Sequence, residues 1–493
     1  MLRKIRIILA CIFWVAITLL FLDFTGSLHS YFGWMAKIQL LPAILSLNFI
    51  IVAALLILTI VFGRIYCSVI CPLGIMQDIF SWFGKKARKN RYSYSTEKKW
   101  LRRCVLVVFI VLMLVPGLNV IATLIAPYSA YGRIATNVFA PIYQFANNGL
   151  AYFAERFDSY VFYDVDVVIK SISSLIIAIV TFVVIGFLSW KNGRTWCNTI
   201  CPVGTLLGFF SRYSFFKIKI SDDACVHCGL CAKKCKASCI NSEDRTVDYS
   251  RCVVCFDCLE SCNKQAIQYS FGKKSSKVTE EGAVDDSRRK FIAVSGLTLA
   301  GLAVQAQEKK VDGGLAVIQD KEIVQRTKFP VPAGAQSIRH FNDHCTACQL
   351  CISACPNQVL RPSTELQSLL KPTMSFEKGY CRPECVKCSE VCPAGAIKPV
   401  TTAEKSSIKI GTAVFVQKNC IVETDAVSCG LCERHCPVGA IVMVPKDAAN
   451  SESLKIPAIN TERCIGCGAC ENLCPARPFA AIYVEGMEKH AEL

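Results

Sequence analysis

Histidine is scarce in this chain, and its scarcity excludes one common kind of membrane redox protein. Only 6 of the 493 residues are histidine, and only His29 lies near the long apolar segments of the first half. A membrane cytochrome that carries haem on paired histidines needs such side chains as axial ligands. A four-helix cytochrome of that kind is therefore excluded, and redox chemistry in the membrane part must use cysteines, a bound quinone or a partner's cofactor.

Motifs for most enzymatic chemistry are also missing. The chain has no Gly-rich nucleotide-binding loop, no zinc-protease motif and no nucleophile elbow. Acidic residues are few in the first part, since residues 1–306 hold 34 Lys and Arg against 18 Asp and Glu, whereas residues 307–493 hold 21 against 20. The positive excess lies beside hydrophobic segments, where positive-inside membrane topology explains it, so no nucleic-acid partner is expected.

Long apolar segments dominate the first half of a chain that is 53% hydrophobic and long enough for about three domains. They predict four membrane spans, at about 7–24, 38–62, 104–126 and 172–190. The connector 64–103 carries ten basic residues against two acidic ones, and the connector 127–170 carries three against four. Because basic loops stay in the cytoplasm, the asymmetry predicts a cytoplasmic N-terminus. The aromatic-rich connector 127–170 is expected to form amphipathic helices at the interface, as an ordinary aromatic belt or as a quinone-binding surface.

A repeat occurs at the inner ends of the second and fourth predicted spans. Residues 63–74 and 193–204 share the pattern Gly-Arg-x-aromatic-Cys-x-x-Ile-Cys-Pro-x-Gly. The cysteines four residues apart would share one helix face, Cys67 with Cys71 and Cys197 with Cys201. Two facing pairs would offer four thiolates to an iron–sulfur centre. A redox dithiol in each copy and a purely structural turn are the alternatives.

Two cysteine quartets follow with the spacing of bacterial two-cluster ferredoxins. They are Cys225, Cys228, Cys231 and Cys235, then Cys252, Cys255, Cys258 and Cys262. In such ferredoxins the fourth cysteine of each run ligates the other [4Fe–4S] cluster, so Cys262 is expected with the first three cysteines and Cys235 with the second three. Zinc is the alternative, but zinc sites combine two pairs of ligands and need no quartets.

Four more quartets occupy the last third of the chain, and each ends in Cys-Pro. They are Cys345, Cys348, Cys351 and Cys355; Cys381, Cys385, Cys388 and Cys392; Cys420, Cys429, Cys432 and Cys436; and Cys464, Cys467, Cys470 and Cys474. Exchange of the fourth ligand between adjacent quartets (first with second, third with fourth) and nested exchange (first with fourth, second with third) both fit the spacing. Six quartets predict six [4Fe–4S] clusters.

An export signal is predicted between the two sets of quartets. The segment Ser287-Arg288-Arg289-Lys290-Phe291-Ile292 is followed by an uncharged run from Phe291 to Gln307. A paired arginine before a phenylalanine and a short apolar run resembles a twin-arginine signal for export of folded proteins. The alternative is that the arginines flank an ordinary membrane helix. In both cases the residues that follow lie on the far side of the membrane. Export after folding suits a multi-cluster domain, because clusters are inserted in the reducing cytoplasm.

These motifs resemble two known families joined end to end. Residues 1–275 are similar to the NapH family in their four spans, two Cys-x3-Cys-Pro motifs and two-cluster ferredoxin domain, and residues 285–485 are similar to the NapG/MauM family in their twin-arginine leader and four quartets. The resemblance implies a haem-free quinol dehydrogenase. Its membrane part would take electrons from quinol, and its exported part would pass them to a periplasmic reductase or a c-type cytochrome.

The expected architecture is a membrane α-helical bundle with four transmembrane helices plus a twin-arginine-type helix, joined to α+β bacterial ferredoxin-like domains. The expected units are the membrane domain 1–214, a cytoplasmic two-cluster domain 215–270, a linker 271–286, the signal or anchor helix 287–307, and an exported four-cluster domain 308–493. The favoured function is electron transfer from quinol in the bacterial inner membrane. The alternative is an accessory protein that supplies reducing equivalents for maturation of a periplasmic metalloenzyme.

Overall fold

The computed structural model of the chain describes residues 1–23, 26–87, 92–115, 117–159, 161–165, 167, 169–222, 224–271, 320–447, 450 and 452–493. The predicted linker lies outside these residues except for Phe271, and the predicted twin-arginine segment 287–307 lies outside them entirely. The described chain forms a helical bundle (2–211), a central ferredoxin domain (216–271) and a C-terminal ferredoxin domain (320–493).

Two helices among the described residues are long and apolar enough to cross a membrane, Leu2–Leu22 and Ile172–Asn192, each of 21 residues. At 1.5 Å per residue each measures about 30 Å, the thickness of a bilayer's hydrocarbon core. The other helices of the bundle are Leu28–Phe32, Trp34–Lys37, Leu40–Leu45, Phe49–Phe62, Tyr66–Val69, Pro72–Ala87, Lys99–Leu114, Asn119–Ile125, Pro127–Ile134, Ala140–Glu155, Thr195–Thr199 and Pro202–Ser211, with a π-helical turn at Ala135–Phe139.

The second predicted span is broken into two helices. The first ends at Leu45, and Leu47 then adopts a left-handed conformation with φ +55°, which a right-handed helix cannot accommodate. The side chain of Asn48 accepts a hydrogen bond from the amide of Ile51 and so caps the next helix. The turn at Leu47 and the cap at Asn48 thus interrupt the helix that the apolar run predicts.

The third predicted span is broken in the same way. Its first helix ends at Leu114, and its second begins at Asn119, after Gly117 with φ +84°. Only glycine adopts such backbone angles readily. Four uninterrupted crossings are therefore not observed in the described residues.

The connector is helical from Pro127 to Glu155, but two of its aromatic rings turn inward. Tyr128 and Tyr131 are buried, whereas Phe145 is exposed. The hydroxyl of Tyr131 is hydrogen-bonded to that of Thr18, and both tyrosine rings contact the ring of Phe21. The expected interfacial position therefore does not apply to the first helix of this connector.

The central ferredoxin domain packs against one end of the bundle. Its antiparallel strands are Phe216–Ile220 with Ile267–Phe271 and Ile240–Asn241 with Thr246–Val247, and its helices are Leu230–Lys234 and Asp257–Ser261. Arg3 of the first long helix donates to Asp257 at 2.7 Å, and Arg64 donates to the carbonyl oxygen of Ser250 at 2.9 Å. Charged and buried polar contacts thus both join the domain to the helices.

The C-terminal ferredoxin domain packs against the bundle through other residues. Its antiparallel strand pairs are Leu360–Pro362 with Pro372–Met374, Ile408–Phe415 with Ile482–Glu492, and Ile441–Pro445 with Lys455–Ile459; its helices are Ile338–His344, Leu350–Ser353, Lys387–Val391, Thr402–Ser407, Ile421–Thr424, Leu431–Arg434 and Ala469–Asn472, with a 3₁₀ turn at Gln417–Asn419. Lys170 donates to the carbonyl oxygen of Ile352 at 2.9 Å, and Gln349 donates to the hydroxyl of Ser174 at 2.8 Å.

The two ferredoxin domains lie at opposite ends of the bundle. Arg3 and Phe21 belong to the same helix and are about 27 Å apart at 1.5 Å per residue. Arg3 contacts the central domain, whereas Phe21 packs beside Gly132, where an added Cβ would stand 2.3 Å from the carbonyl oxygen of Cys348 in the C-terminal domain. One connected core of buried side chains runs through all three parts.

Candidate iron–sulfur sites

The central ferredoxin domain gathers its eight quartet cysteines into two groups of four. The first group, Cys225, Cys228, Cys231 and Cys262, lines a cavity of about 200 Å³. The pKa of Cys258 is raised by burial and then by the neighbouring thiols, which places the second group together as Cys252, Cys255, Cys258 and Cys235. Each group takes its fourth cysteine from the other run, which is the exchange expected of a two-cluster ferredoxin.

The first two quartets of the C-terminal domain exchange their fourth cysteines with each other. Burial raises the pKa of Cys351, and the thiols of Cys348, Cys345 and Cys392 raise it further, ahead of that of Cys388 from the other group. The thiol of Cys392 also raises the pKa of Cys345 and of Cys348, so these four cysteines form one group. Burial likewise raises the pKa of Cys388, and the thiols of Cys381, Cys355 and Cys385 raise it further. These four cysteines form the second group.

The third and fourth quartets repeat this arrangement. Burial raises the pKa of Cys432, and the raising thiols around it and around Cys420 define the group Cys420, Cys429, Cys432 and Cys474. A small cavity is lined by Cys436, Cys464, Cys467 and Cys470. Of the two arrangements that the spacing allows, the structure therefore has adjacent exchange. The two pairs of groups also meet, because the amide of Cys381 donates to the carbonyl oxygen of Cys467 at 2.9 Å.

Left-handed backbone wraps four of the six loops around their cysteines. In the four quartets with Cys-x2-Cys-x2-Cys spacing, the residues before and after the second cysteine all have positive φ: His227 and Gly229, Val254 and Phe256, Ala347 and Gln349, Gly466 and Gly468. Left-handed angles at non-glycine residues cost about 1–2 kcal/mol each and concentrate at functional sites. Three of these four loops, all but the one with Gly466 and Gly468, therefore hold a non-glycine residue in a geometry that local preference opposes.

Backbone amides also point at cysteine sulfurs. Ala266 donates to Cys262 at 3.3 Å and Ala440 donates to Cys436 at 3.1 Å. Amide hydrogen bonds to cluster ligands tune the reduction potential of an iron–sulfur centre. These donors are part of the candidate sites, although the cysteine spacing alone does not reveal them.

The groups suit a cluster better than a single ion. The described residues include all 31 cysteines, and none of these is in a disulfide. Among the same residues, no three His, Cys, Asp or Glu side chains are placed to hold one metal ion. A zinc ion holds sulfur at about 2.3 Å, whereas the four thiolates of a cubane each bind a different iron and stand farther apart. Cysteines gathered in fours fit a [4Fe–4S] cluster, in which each iron takes one thiolate.

The two repeat copies bring their cysteines to one place. Cys67, Cys71, Cys197 and Cys201 are 3–4% exposed. Burial raises the pKa of Cys201, and the thiols of the other three raise it further. These four cysteines are called the four-thiol site below. In each copy a short helix precedes the Cys-Pro pair, Tyr66–Val69 in the first and Thr195–Thr199 in the second. A second helix begins at the proline, Pro72–Ala87 in the first copy and Pro202–Ser211 in the second.

The arginine of each copy also donates a hydrogen bond to the backbone of the other copy. Arg64 donates to the carbonyl oxygen of Cys197 at 3.2 Å, and Arg194 donates to that of Cys67 at 2.6 Å. The last glycine of the motif makes room for this exchange. A Cβ on Gly74 would stand 2.7 Å from Arg194, and a Cβ on Gly204 would stand 2.8 Å from Arg64. The pattern therefore encodes reciprocal contacts, which the spacing of the cysteines does not show.

The surroundings of the two arginines differ. Arg194 also donates to the carboxylate of Asp78 at 2.7 Å. Arg64 instead donates to the side-chain oxygen of Asn198 at 2.9 Å and to the sulfur of Cys67 at 3.7 Å. Among the described residues no carboxylate pairs with Arg64, which is fully buried. A buried cation without an anion is costly, so the donor set fits anionic thiolates and an anionic centre.

Two buried tyrosines lie between the four-thiol site and the C-terminal domain. Burial raises the pKa of Tyr128, and the nearby thiols of Cys348 and Cys392 and the hydroxyl of Tyr66 raise it further. Tyr66 in turn precedes Cys67 in the sequence, and its hydroxyl donates to Gln39 at 3.0 Å. Tyr66 thus lies beside the four-thiol site, and Tyr128 lies near the first group of the C-terminal domain.

Two family models match the chain. One, described as "4Fe-4S binding domain", matches residues 46–91 and 172–221, which contain both copies of the repeat. The other, described as "4Fe-4S dicluster domain", matches residues 426–477, which contain the third and fourth quartets of the C-terminal domain except Cys420. No solved structure matches the chain.

Curated relatives include three ferredoxin-type or electron-transport proteins. The putative electron transport protein YccM of Escherichia coli is 24% identical over 45% of this chain and 55% of its own length. The ferredoxin-type protein NapG of Haemophilus influenzae is 28% identical over 39% of this chain and 70% of its own. The methylamine utilization ferredoxin-type protein MauM of Methylophilus methylotrophus is 32% identical over 27% of this chain and 61% of its own.

These matches confirm the predicted resemblance to NapG/MauM ferredoxin-type proteins. The chain is a ferredoxin-type iron–sulfur protein with 4Fe–4S binding domains. The resemblance of residues 1–275 to the NapH family rests on its motifs and stays a prediction.

Proposed function

We propose that the chain is a membrane-bound electron-transfer protein that oxidises quinol and delivers the electrons to an acceptor on the other side of the membrane. The observation that carries this proposal is the position of the four-thiol site between two ferredoxin domains at opposite ends of one helical bundle. A periplasmic reductase or a c-type cytochrome is the proposed acceptor.

Six groups of cysteines would each hold a [4Fe–4S] cluster. They are Cys225, Cys228, Cys231 and Cys262; Cys252, Cys255, Cys258 and Cys235; Cys345, Cys348, Cys351 and Cys392; Cys381, Cys385, Cys388 and Cys355; Cys420, Cys429, Cys432 and Cys474; and Cys464, Cys467, Cys470 and Cys436. When bound, such clusters take up and release one electron at a time.

The four-thiol site is proposed to hold a further iron–sulfur centre. The match of its two segments to a "4Fe-4S binding domain" supports this assignment. Arg64 and Arg194 would hold the two cysteine loops in register through the carbonyl oxygens of Cys197 and Cys67. The closely packed bundle excludes water from the site, since all four cysteines are buried. A dithiol in each copy is less suited to this arrangement, because the cysteines of both copies share one site.

The proposed topology places the N-terminus and residues 215–286 in the cytoplasm and residues 308–493 in the periplasm. Leu2–Leu22 and Ile172–Asn192 would cross the inner membrane whole, and the two broken segments would cross it as helix pairs. The basic connector 64–103 and the position of the two ferredoxin domains at opposite ends support this orientation. The predicted twin-arginine segment would supply the last crossing.

The test uses the purified full-length protein in nanodiscs under anaerobic conditions. A menaquinol analogue is added, and iron–sulfur signals are followed by electron paramagnetic resonance. Reduced clusters are expected, and clusters that stay oxidised would contradict the proposal. A deletion strain separates it from the maturation role, because electron transfer predicts a partner enzyme that is assembled but not reduced by quinol, whereas a maturation role predicts an unassembled partner.

A further inference from the structure

A cavity of about 440 Å³ lies where the bundle meets the central ferredoxin domain. It opens between the first long helix, Leu2–Leu22, and the helix Pro72–Ala87 that leaves the four-thiol site. Its lining is polar on one side and apolar on the other. The volume is within the usual range of about 300–1,000 Å³ for small-molecule sites. None of the motifs singled out in the sequence accounts for it.

The polar wall is a network of ion pairs around two carboxylates. Asp78 accepts from Arg6 at 2.8 Å and lies 3.0 Å from the ammonium group of Lys236. Asp257 accepts from Arg3 at 2.7 Å and lies 3.3 Å from the same ammonium group. The Nε–H of Arg6 is buried and has no acceptor among the described residues. The wall therefore offers hydrogen-bond donors and a carboxylate in a fixed arrangement.

The apolar wall reaches the outer surface of the bundle. Ile7, Trp82 and Phe83 line the cavity and are 37%, 51% and 54% exposed. In the proposed topology this surface faces lipid near the cytoplasmic interface, where tryptophan is common. A ligand could therefore enter from the bilayer and leave an apolar tail along these side chains.

The cavity also adjoins two candidate redox sites. Asp78 is bonded to Arg194, whose guanidinium donates to the carbonyl oxygen of Cys67 in the four-thiol site. On the other side, Lys236 follows Cys235 in the chain, and Asp257 precedes Cys258. A ring bound against this wall would be separated by one side chain, Arg194, from the four-thiol site. It would be separated by Lys236 or Asp257 from the cysteines of the central ferredoxin domain.

We propose that this cavity binds the head group of a quinol or quinone, with its isoprenoid tail on the apolar wall. The inference rests on the proposed function and names its substrate site. Quinone carbonyl oxygens would accept from the cationic donors, and a quinol hydroxyl would donate to the carboxylate of Asp78. An anionic phospholipid head group is the competing occupant. It is disfavoured because Arg3, Arg6 and Lys236 are already in ion pairs with the two carboxylates.

The first test maps the site in the unaltered full-length protein in nanodiscs of phosphatidylcholine. The probe is an azido-benzoquinone with a decyl tail, and labelled peptides are identified by mass spectrometry. Labels on peptides that contain residues 7–11 and 75–83 are expected. Labels confined to the aromatic connector 127–155 would overturn the proposal.

The second test fills the cavity. Ile79→Trp places a large ring in the lining, and Ile176→Trp is the matched control on Ile172–Asn192, because Ile176 is 50% exposed and does not line the cavity. Decyl-ubiquinone is expected to bind at least tenfold more weakly to Ile79→Trp than to the unaltered protein, and equally well to Ile176→Trp. Iron content and thermal unfolding check that both variants are folded.

The outcomes separate this inference from the proposed function. If quinol reduces the clusters of the unaltered protein but Ile79→Trp binds the probe normally, the site assignment is wrong and quinol oxidation stands. If the clusters stay oxidised while the probe still labels the cavity, quinol oxidation is wrong and the binding site stands. If phosphatidylglycerol added to the nanodiscs displaces the probe, the cavity is a lipid site and the inference fails.

Discussion

Arg64 is a buried cation that finds no carboxylate among the described residues, whereas its counterpart Arg194 is paired with Asp78. Its donors reach the carbonyl oxygen of Cys197 and the sulfur of Cys67. A buried positive charge of this kind stabilises a neighbouring anion, because the low dielectric of the interior strengthens their attraction. Arg64 thus contributes both to the contact between the two repeat copies and to the electrostatics of the four-thiol site.

Replacing Arg64 by Gln is expected to lower the reduction potential of a centre at the four-thiol site. Loss of a positive charge disfavours the more negative reduced form, and a shift of about 60 mV corresponds to a tenfold change for one electron. A redox titration followed by electron paramagnetic resonance measures it. Arg133→Gln is the matched control, since Arg133 is also fully buried and, among the described residues, donates to the carbonyl oxygens of Thr123 and Leu124 and to no cysteine of the four-thiol site. Equal potentials in both variants would refute the role of Arg64.

The side chain of His490 is expected to lower the stability of the C-terminal domain in acid. Burial lowers its pKa to about 4 from an ordinary 6.5. Between these values the unfolded chain binds a proton that the folded chain refuses, so this histidine makes the domain less stable as the pH falls from 6.5 towards 4. In His490→Gln the melting temperature should fall less between pH 7 and pH 5 than in the unaltered protein. Parallel curves would show that His490 does not contribute.

Two structural elements recur in the bundle, each a short helix that turns at a Cys-Pro pair into a second helix. Their close approach depends on one glycine in each second helix. A Cβ on Gly74 would stand 2.3 Å from the carbonyl oxygen of Cys67, and one on Gly204 would stand 2.2 Å from that of Cys197. Neither carbonyl can move without disturbing a cysteine loop.

Gly74→Ala is therefore expected to destabilise the bundle and to reduce the iron content of the protein. Gly149→Ala is the control, because a Cβ there meets nothing within 4 Å. In that exposed helix the change should be neutral or stabilising by about 0.5–1 kcal/mol. Iron analysis and thermal unfolding of both variants check the prediction, and normal iron in Gly74→Ala would count against it.

The exchange of the fourth cysteine between adjacent quartets of the C-terminal domain leads to a second prediction for these elements. Cys355 lies with Cys381, Cys385 and Cys388, and not with the rest of its own quartet. Cys355→Ala and Cys385→Ala should therefore perturb the same cluster signal, while Cys348→Ala should perturb a different one. Electron paramagnetic resonance of the three variants tests this. A shared effect of Cys355→Ala and Cys348→Ala would contradict adjacent exchange.

The spacing of the cysteines predicts the local loops well, because three close ligands must lie within one turn of chain. It leaves open which quartet supplies the fourth ligand, since that contact joins distant segments. It also gives no role to Arg64 or Tyr128, whose partners lie in another repeat or another domain. Hydropathy does not locate the breaks at Leu47 and Gly117, because it records apolar side chains and not backbone angles.

At the scale of the whole molecule, the described residues hold candidate redox sites in the central ferredoxin domain, in the bundle and in the C-terminal domain. Arg64 joins the four-thiol site to the central ferredoxin domain, whereas Tyr66 lies near the four-thiol site and Tyr128 lies near the first cysteine group of the C-terminal domain. The quinol cavity would join these sites near the central ferredoxin domain. Electrons that reach the C-terminal domain would then have to pass the four-thiol site.

The most direct measurement is a freeze-quench comparison of the unaltered protein with Cys71→Ala, both full-length in nanodiscs and mixed anaerobically with menadiol. The signal of a C-terminal cluster is identified by its loss in Cys388→Ala. The account predicts that menadiol reduces this cluster in the unaltered protein and at least tenfold more slowly in Cys71→Ala, while the central domain is reduced in both. A C-terminal cluster that is reduced equally fast in both proteins, or in neither, would contradict it.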